Sequence, residues 1–280
     1  MKNALYITTF LSVFALASCD IVDEPLKDGI GGGGPAPTET LRSVLIEDFT
    51  GHKCNNCPKA ADEIDLIQGL EFGNRVFAVG LHVTQFFAGP DASYPEDFRT
   101  PIGNEYETFF NISALPTGMV SRTDYTSTSS GHLKNYSAWA SEAFALTAEL
   151  AKFEILPNVT YNAVDRTISV TAQIPVLEEY TGNLNFMVMI TENDIVAPQK
   201  MPDNSKNSNY VHKHVLRGGL DGSWGKVVNS GTALEGDTLL YSGVSAPIDS
   251  TWNKDNLYAL MFIYDADSQE IWQVTEEHVP

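Results

Sequence analysis

The spacing of apolar positions changes near residue 150, and that change divides the chain. Leu41 to Thr50, with Val44, Leu45 and Ile46 in succession and Phe49 beyond them, reads as a buried strand. From Pro58 to Leu70 they recur at Ala60, Ala61, Ile64, Ile67 and Leu70, which is one face of a helix. Val76 to Val83 reads as a second strand, apolar on both faces as central parallel strands are. A shorter helical pattern covers Ile102 to Phe110, and a third strand opens at Pro116 and runs to Val120. Leu133 to Leu150 reads as a helix with Trp139, Ala143, Leu146 and Leu150 on one side. Alternating strands and helices predict an α/β layered domain over residues 41–151.

Beyond Lys152 the helical spacing disappears. Thr167 to Ile174, Leu184 to Thr191, Tyr210 to Leu216, Thr238 to Val244 and Leu257 to Tyr264 read as strands rich in Val and Ile, separated by turn residues. A last short strand, Ile271 to Thr275, pairs back through the turn Asp265 to Ser268. Short strands with regular turns predict an all-β antiparallel sandwich domain over 152–280. The 280-residue length suits two such domains, and no internal repeat is visible.

The N-terminus carries an address. Met1 and Lys2 precede an apolar stretch from Ala4 to about Ala17, which ends in Leu16-Ala17-Ser18-Cys19. This is a lipoprotein signal peptide, residues 1–18, with Cys19 as the lipid attachment point. The stretch is too short for the ~20 residues of a membrane-spanning helix. Residues 19–40 contain a glycine run, Gly31 to Gly34, followed by Pro35-Ala36-Pro37, and have no apolar periodicity to bury. They predict a flexible tether holding a folded part away from a membrane. Asp20 after Cys19 signals inner-membrane retention in some bacteria. Acidic residues such as Asp20, Asp23 and Glu24 signal surface export in others, so the membrane face stays open.

Charge narrows the partners. With 17 basic and 36 acidic residues the chain carries −19, which argues against nucleic acid and against an anionic membrane surface. The glycine run lacks the following Lys-Ser/Thr of a phosphate loop. Membrane contact is therefore expected through the lipid alone, and no cofactor is implied.

Of the three cysteines, lipid takes Cys19, leaving Cys54 and Cys57 in Thr50-Gly51-His52-Lys53-Cys54-Asn55-Asn56-Cys57-Pro58. Thiols at this spacing can close a disulfide, and a helix N-terminus beside the first favours its thiolate. A structural staple is the plainer reading, but so small a loop gains little from chain entropy. A zinc site wants four ligands. No second cysteine pair exists, and His52 and His82 join only if folding brings them there.

This part of the chain resembles thioredoxin. A strand ends in Glu47-Asp48-Phe49, a Cys-x-x-Cys follows, a helix continues from the second cysteine, and Leu115-Pro116-Thr117 opens a later strand as the cis-proline motif does. The resemblance implies that Cys54 attacks a substrate disulfide as thiolate and Cys57 resolves the mixed disulfide. It implies that Asp48, six residues before Cys54, accepts the Cys57 proton through water, and that a cis Pro116 presents its backbone to a substrate chain. His52 and Lys53 would lower the Cys54 pKa further. Two departures stand out: Lys53 replaces the usual aromatic, and Asn55-Asn56 replaces Gly-Pro. The returning fourth strand of that fold is expected to be short or absent. The expected fold class is thus an α/β thioredoxin-like domain followed by an all-β antiparallel sandwich.

The whole mature chain resembles the Omp28-related outer membrane lipoproteins, which combine a lipobox, Thr-Gly-x-x-Cys-x-x-Cys-Pro and a β-rich C-terminal part. Thr50 to Pro58 matches the first motif. His214-Val-Leu-Arg217-Gly-Gly-Leu-Asp-Gly222-Ser-Trp224-Gly225 and Leu260-Met-Phe-Ile-Tyr-Asp265 resemble the second part. This resemblance implies outer membrane placement and lends no activity. Two functions follow as expectations. One is thiol–disulfide exchange with envelope proteins. The other is a binding or assembly role in which Cys54–Cys57 is static.

The remaining candidates are weaker. His212 and His214 at i, i+2 could hold a metal but read as a solvated strand face beside Lys213. Asp265 and Asp267 lack the glycine and distal glutamate of a calcium loop and read as a turn. Trp224, Trp252 and Trp272 could form a sugar or peptide platform but read as core. Met201 to Asn209 reads as a recognition loop or linker.

Overall fold

The computed structural model describes residues 39–280; the expected signal peptide, Cys19 and the tether up to residue 38 lie outside the described residues. β1 (Val44–Thr50), α1 (Cys57–Gln68) and β2 (Val76–His82) form a parallel β-α-β unit, with Val44 opposite Val76 and Thr50 opposite His82. β3 (Thr117–Val120) runs antiparallel along the other side of β1, pairing Thr117 with Phe49 and Gly118 with Asp48. Alternation along β1 decides what packs where. Val44 and Ile46 face α1 and α4 (Trp139–Thr147), whereas Leu45 and Phe49 face α3 (Pro101–Phe109).

The strands expected to form a separate sandwich continue this sheet. β6 (Tyr180–Glu192), β9 (Val215–Gly219), β12 (Leu257–Asp265) and β13 (Ile271–His278) extend it in the order β13-β12-β6-β9-β2-β1-β3, and β10 (Lys226–Ala233) also pairs with β6. The join is the parallel contact between β2 and β9 at Gly80 and Val215, where the Gly80 amide donates to the His214 carbonyl at 2.7 Å. The expected division at 151/152 is therefore no division between sheets: strands from both sides of it share one, and Glu39–Pro280 is one compact unit.

A sandwich does form within it. The three-stranded sheet of β11 (Thr238–Val244), β5 (Thr167–Pro175) and β4 (Leu156–Asn162) packs Ile168, Val170 and Tyr241 onto Phe186, Val188, Met261 and Ile263 of the large sheet. On the opposite face Met187, Met189 and Phe262 meet Ile102 and Tyr106 of α3. The architecture is β-rich, with mixed sheets and few helices.

Local corrections have local causes. The expected strand Tyr210 to Leu216 is two strands: β8 (Lys206–His212) stops, and His214 turns the chain at φ 53° before β9. The expected helix Leu133 to Leu150 is a short 3-10 turn at Tyr136–Ala138 followed by the nine residues of α4. A single bridge between Gly118 and Lys134 stands where a fourth strand beside β3 was expected to be short or absent. Met201 to Asn209 is the turn and first strand residues of a hairpin between β7 (Ile195–Lys200) and β8, which pair only with each other. Asp265 is a turn residue as expected, its Oδ1 accepting from the amides of Asp267 and Ser268.

On the α3-facing side of the large sheet, beside β1 and β3, lies an ion pair with no solvent exposure. Arg122 donates from Nε and Nη2 to the two carboxylate oxygens of Glu47, at 2.8 and 2.7 Å. The rings of Tyr106, Phe110, Phe262 and Tyr264 surround the guanidinium at 4.8–5.4 Å. Removing one partner of a buried pair strands the other charge, whereas an apolar replacement of both is close to neutral. Glu47→Gln should therefore lose ~3–5 kcal/mol in urea denaturation. The paired replacement Glu47→Leu/Arg122→Met should recover most of that loss, and equal losses in the two variants would refute the role assigned to the pair.

Candidate functional site

The motif sits where β1 hands over to α1. Cys54 and Cys57 form a disulfide. α1 begins at Cys57, with Pro58 in its first turn, where a missing amide hydrogen costs nothing. Cys57 is thus the cysteine of the helix N-terminus, and Cys54 occupies the turn before it. Leu115–Pro116 is a cis peptide bond. Pro116 stands one residue outside the Thr117–Phe49 pair, beside the loop that leads to Cys54.

Two neighbouring segments fix that loop. The first is the turn of α2 (Gln85–Ala88), whose Phe87 carbonyl accepts from the Lys53 amide at 2.9 Å. A Cβ on Gly51 would lie 2.6 Å from that same carbonyl, so only glycine admits the approach. The turn is entered through Thr84 at φ 65°, an unusual conformation for a β-branched residue. It is held there by the Glu107 carboxylate on its amide and by its own hydroxyl on the Phe87 amide.

The second segment is the β7–β8 hairpin, contributed from beyond residue 152. Gln199 Nε2 donates to the Cys54 carbonyl at 3.0 Å and to the Gly51 carbonyl at 3.4 Å, while the Lys200 amide donates to the His52 carbonyl at 2.8 Å. Asn204 at the hairpin turn meets Asn55, and Lys213 just after β8 pairs with Asp65 of α1 at 2.7 Å. The hairpin caps the motif, and Cys54 and Cys57 are each only 2 % exposed.

Behind the disulfide is a cavity of about 70 Å³ between α1, the sheet and the hairpin. Its origin is legible in the strand register. Asp48 points toward α1, and its cross-strand neighbours on both sides are glycines, Gly80 and Gly118. Trp139 fills the space over Gly118. Over Gly80 the space stays open, and Asp48, Cys57, His82, Gln199, His212 and His214 contribute to its walls.

Among the described residues no charged group pairs with Asp48. Burial alone pushes its carboxyl up to about 8, so it is protonated at neutral pH. Burial likewise lowers the histidines, His212 and His214 to about 4 and His82 well below its usual value. The His52 imidazole is also lowered, by burial and then by the Lys53 charge. His52 therefore supplies no positive charge to Cys54, contrary to the expectation, and Lys53 is engaged with Asp91 at 3.4 Å. His212 is not on a solvated strand face. It is buried against His82 and Phe98, with ring centroids at 5.8 and 5.1 Å.

Folding thus brings Cys54, Cys57 and Asp48 together, with Pro116 at the end of the strand beside them. It adds His82, His212, His214 and Gln199. The His212/His214 pair was visible as a motif, but its contact with the thiol loop had no local signal. His52 and His82 do approach each other, with centroids 6.3 Å apart. Among the described residues, however, no group of three or more His, Cys, Asp or Glu is placed to hold a metal ion. Trp224 packs on Tyr106 and Phe109 rather than forming a platform with Trp252 and Trp272. No helix among the described residues is long and apolar enough to cross a membrane.

The model of the family described as outer membrane protein Omp28 matches residues 103–280, a region that begins after the thiol pair. Among solved structures, HBP35 of Porphyromonas gingivalis is similar in fold, with a TM-score of 0.66 and 16 % identity over 86 % of this chain and 76 % of that one. A domain of the outer membrane lipoprotein Omp28 from Porphyromonas gingivalis is 22 % identical over 46 % of this chain and 88 % of that one, with a TM-score of 0.32. No curated protein matches the chain.

Two outcomes follow from the geometry. Asp48 holds its proton to about pH 8 in the folded chain but loses it near its ordinary value when unfolded. Its folded form therefore binds the extra proton, and stability is lost as pH rises from ~4 toward 8. Asp48→Asn should remove this slope and stabilise the protein by up to ~4 kcal/mol at pH 7. Urea denaturation at pH 4 and pH 7 checks it: a gain that does not widen with pH refutes the assignment. Gln199→Ala, which releases the hairpin from Cys54, should speed reduction of the disulfide by dithiothreitol several-fold, read by quenching and mass analysis. An unchanged rate would show that the hairpin does not control access.

Proposed function

The chain belongs to the Omp28 family of outer membrane proteins, and from that premise we propose that it is a lipid-anchored thiol–disulfide exchange protein of the outer membrane. In this reading Cys19 carries the lipid and residues 19–40 are the tether. Residues 41–151 are a thioredoxin-like half, and residues 152–280 supply the sandwich and the hairpin that docks partners. The β2-β1-β3 order, with α1 following the thiol pair, supports the thioredoxin-like assignment.

The observation that carries the reading is the placement of a protonated carboxyl, Asp48, in the same cavity as Cys57. In the oxidised protein an incoming thiolate attacks Cys54 Sγ. A new S–S bond forms to the partner, the Cys54–Cys57 bond breaks, and Cys57 leaves as thiolate. Asp48 can give that thiolate its proton. A second partner thiolate then attacks the partner's sulfur of the mixed disulfide: the partner's new S–S bond forms, the bond to Cys54 breaks, Cys54 leaves as thiolate, and two electrons have passed to the Cys54/Cys57 pair. In reverse, Cys54 attacks a partner disulfide and Cys57, returning its proton to Asp48, closes the ring. Pro116 would align the partner backbone beside Cys54. Partners are envelope proteins carrying thiols or disulfides.

A second reading is favoured by one specific observation, the 2 % exposure of both cysteines beneath the hairpin. In it the disulfide is static and the fold is a scaffold for binding or assembly. Mixed-disulfide trapping separates the two. Cys57→Ser should accumulate covalent adducts through Cys54 with envelope proteins, and Cys54→Ser should abolish both the adducts and disulfide exchange. Absence of adducts, under conditions in which a known oxidoreductase traps its partners, favours the scaffold.

A further inference from the structure

We propose that the cavity beside Cys57 is a proton channel, in which His82, His212 and His214 connect the buried carboxyl of Asp48 to solvent at the edge of the β7–β8 hairpin. The service of this channel to Cys57 rests on the exchange chemistry proposed above; the channel itself rests on geometry.

Buried polar atoms in folded proteins almost always have hydrogen-bond partners, so a cluster without them marks something unusual. Among the described residues, Asp48 Oδ1, His82 Nδ1, His212 Nε2 and His214 Nδ1 are buried without a hydrogen-bond partner. All four belong to residues lining the same cavity. A volume of about 70 Å³ with several polar walls accommodates a few water molecules, each able to bridge two to four such groups. It is too small for an organic ligand of ordinary size. The histidines are neutral at pH 7, so each ring has one nitrogen able to donate and one able to accept. Such rings pass protons through bridging water without adding fixed charge to the low-dielectric space behind the disulfide.

The surroundings define the direction of the path. Around Asp48 of β1 stand Cys57, Asp62 and Asp65 of α1, His82 of β2, and Tyr210 and His212 of β8, with Lys213 and His214 following β8. His52 in the motif loop flanks His82. Tyr210 is pushed up to about 12, by burial and by the carboxyls of Asp62, Asp48 and Asp65, so it keeps its proton at neutral pH. Asp65 is held by Lys213 at a surface ion pair that marks the outer end of the channel. Asp48 itself is only 4 % exposed and its Oδ1 is buried, so the cavity is the route by which its proton reaches bulk water. Gly80 keeps the inner end open, because a side chain there would project into the space beside Asp48.

One variant tests the channel without removing a titratable group. A Cβ on Gly80 would lie 3.6 Å from the His214 carbonyl, an ordinary contact, so Gly80→Ala should fold while placing a methyl in the cavity. His212→Phe tests the wall independently. The full chain, in its disulfide form, is moved from H2O to D2O, and the infrared carbonyl band of the protonated Asp48 is followed in time. Asp48→Asn identifies the band. Deuteration at pH 7 should be at least ten-fold slower in Gly80→Ala and in His212→Phe than in the native sequence, with unchanged circular dichroism. Dithiol reduction of the disulfide should slow in parallel while its equilibrium potential stays fixed. Unchanged deuteration in both variants overturns the channel whatever the redox result. Slowed deuteration in a protein whose disulfide no dithiol reduces sinks the exchange reading and leaves the channel standing.

Discussion

The buried ion pair between Glu47 and Arg122 is the constraint around which this sheet is organised. Glu47 lies on a strand covered on both faces, so its carboxylate must be met inside the protein or not carried at all. Arg122 meets it with two parallel hydrogen bonds, and rings from α3 and β12 close over the guanidinium. One charge pair thereby ties β1, the end of β3, α3 and β12 to a common centre, across the residue-151 boundary. Arg42 repeats the theme at the edge, donating to Glu149, to Glu270 and to the Ile271 carbonyl.

The neighbouring position has the opposite fate for a geometric reason. The pleat sends Asp48 to the other face of β1, where no cation waits and both cross-strand neighbours are glycines. Burial without a partner leaves protonation as the low-energy state. Two adjacent acids on one strand thus become a paired anion and a neutral carboxyl. The second lies beside the sulfur that would need a proton in thiol–disulfide exchange.

The hairpin completes the site from the far half of the chain. Its shortest contacts with the motif reach the backbone: Gln199 on the Cys54 carbonyl and the Lys200 amide on the His52 carbonyl. Contacts of this kind are indifferent to the side chains of Asn55 and Asn56. They cover the disulfide and form one wall of the histidine-lined cavity, which explains how a motif associated with open redox sites comes to have both sulfurs at 2 % exposure.

Much of this was legible in the sequence. Helix α1, strands β1, β2, β5, β11 and β12 and the turn at Asp265 follow from apolar spacing and turn chemistry, because those signals lie between neighbours in the chain. The thiol pair, Asp48 and Pro116 were identified by motif, and Gly51 within that motif is explained by the Phe87 carbonyl against it. The sequence did not disclose that β9 pairs with β2, that β7 and β8 form a hairpin over Cys54, or that His82, His212 and His214 share a cavity with Asp48. Most of these contacts join residues more than a hundred positions apart. Their specificity comes from register, volume and unpaired hydrogen-bonding groups that exist only once the sheet has assembled. Local chemistry thus determined which residues could react, and tertiary packing decided which of them are buried, protonated and within reach of one another.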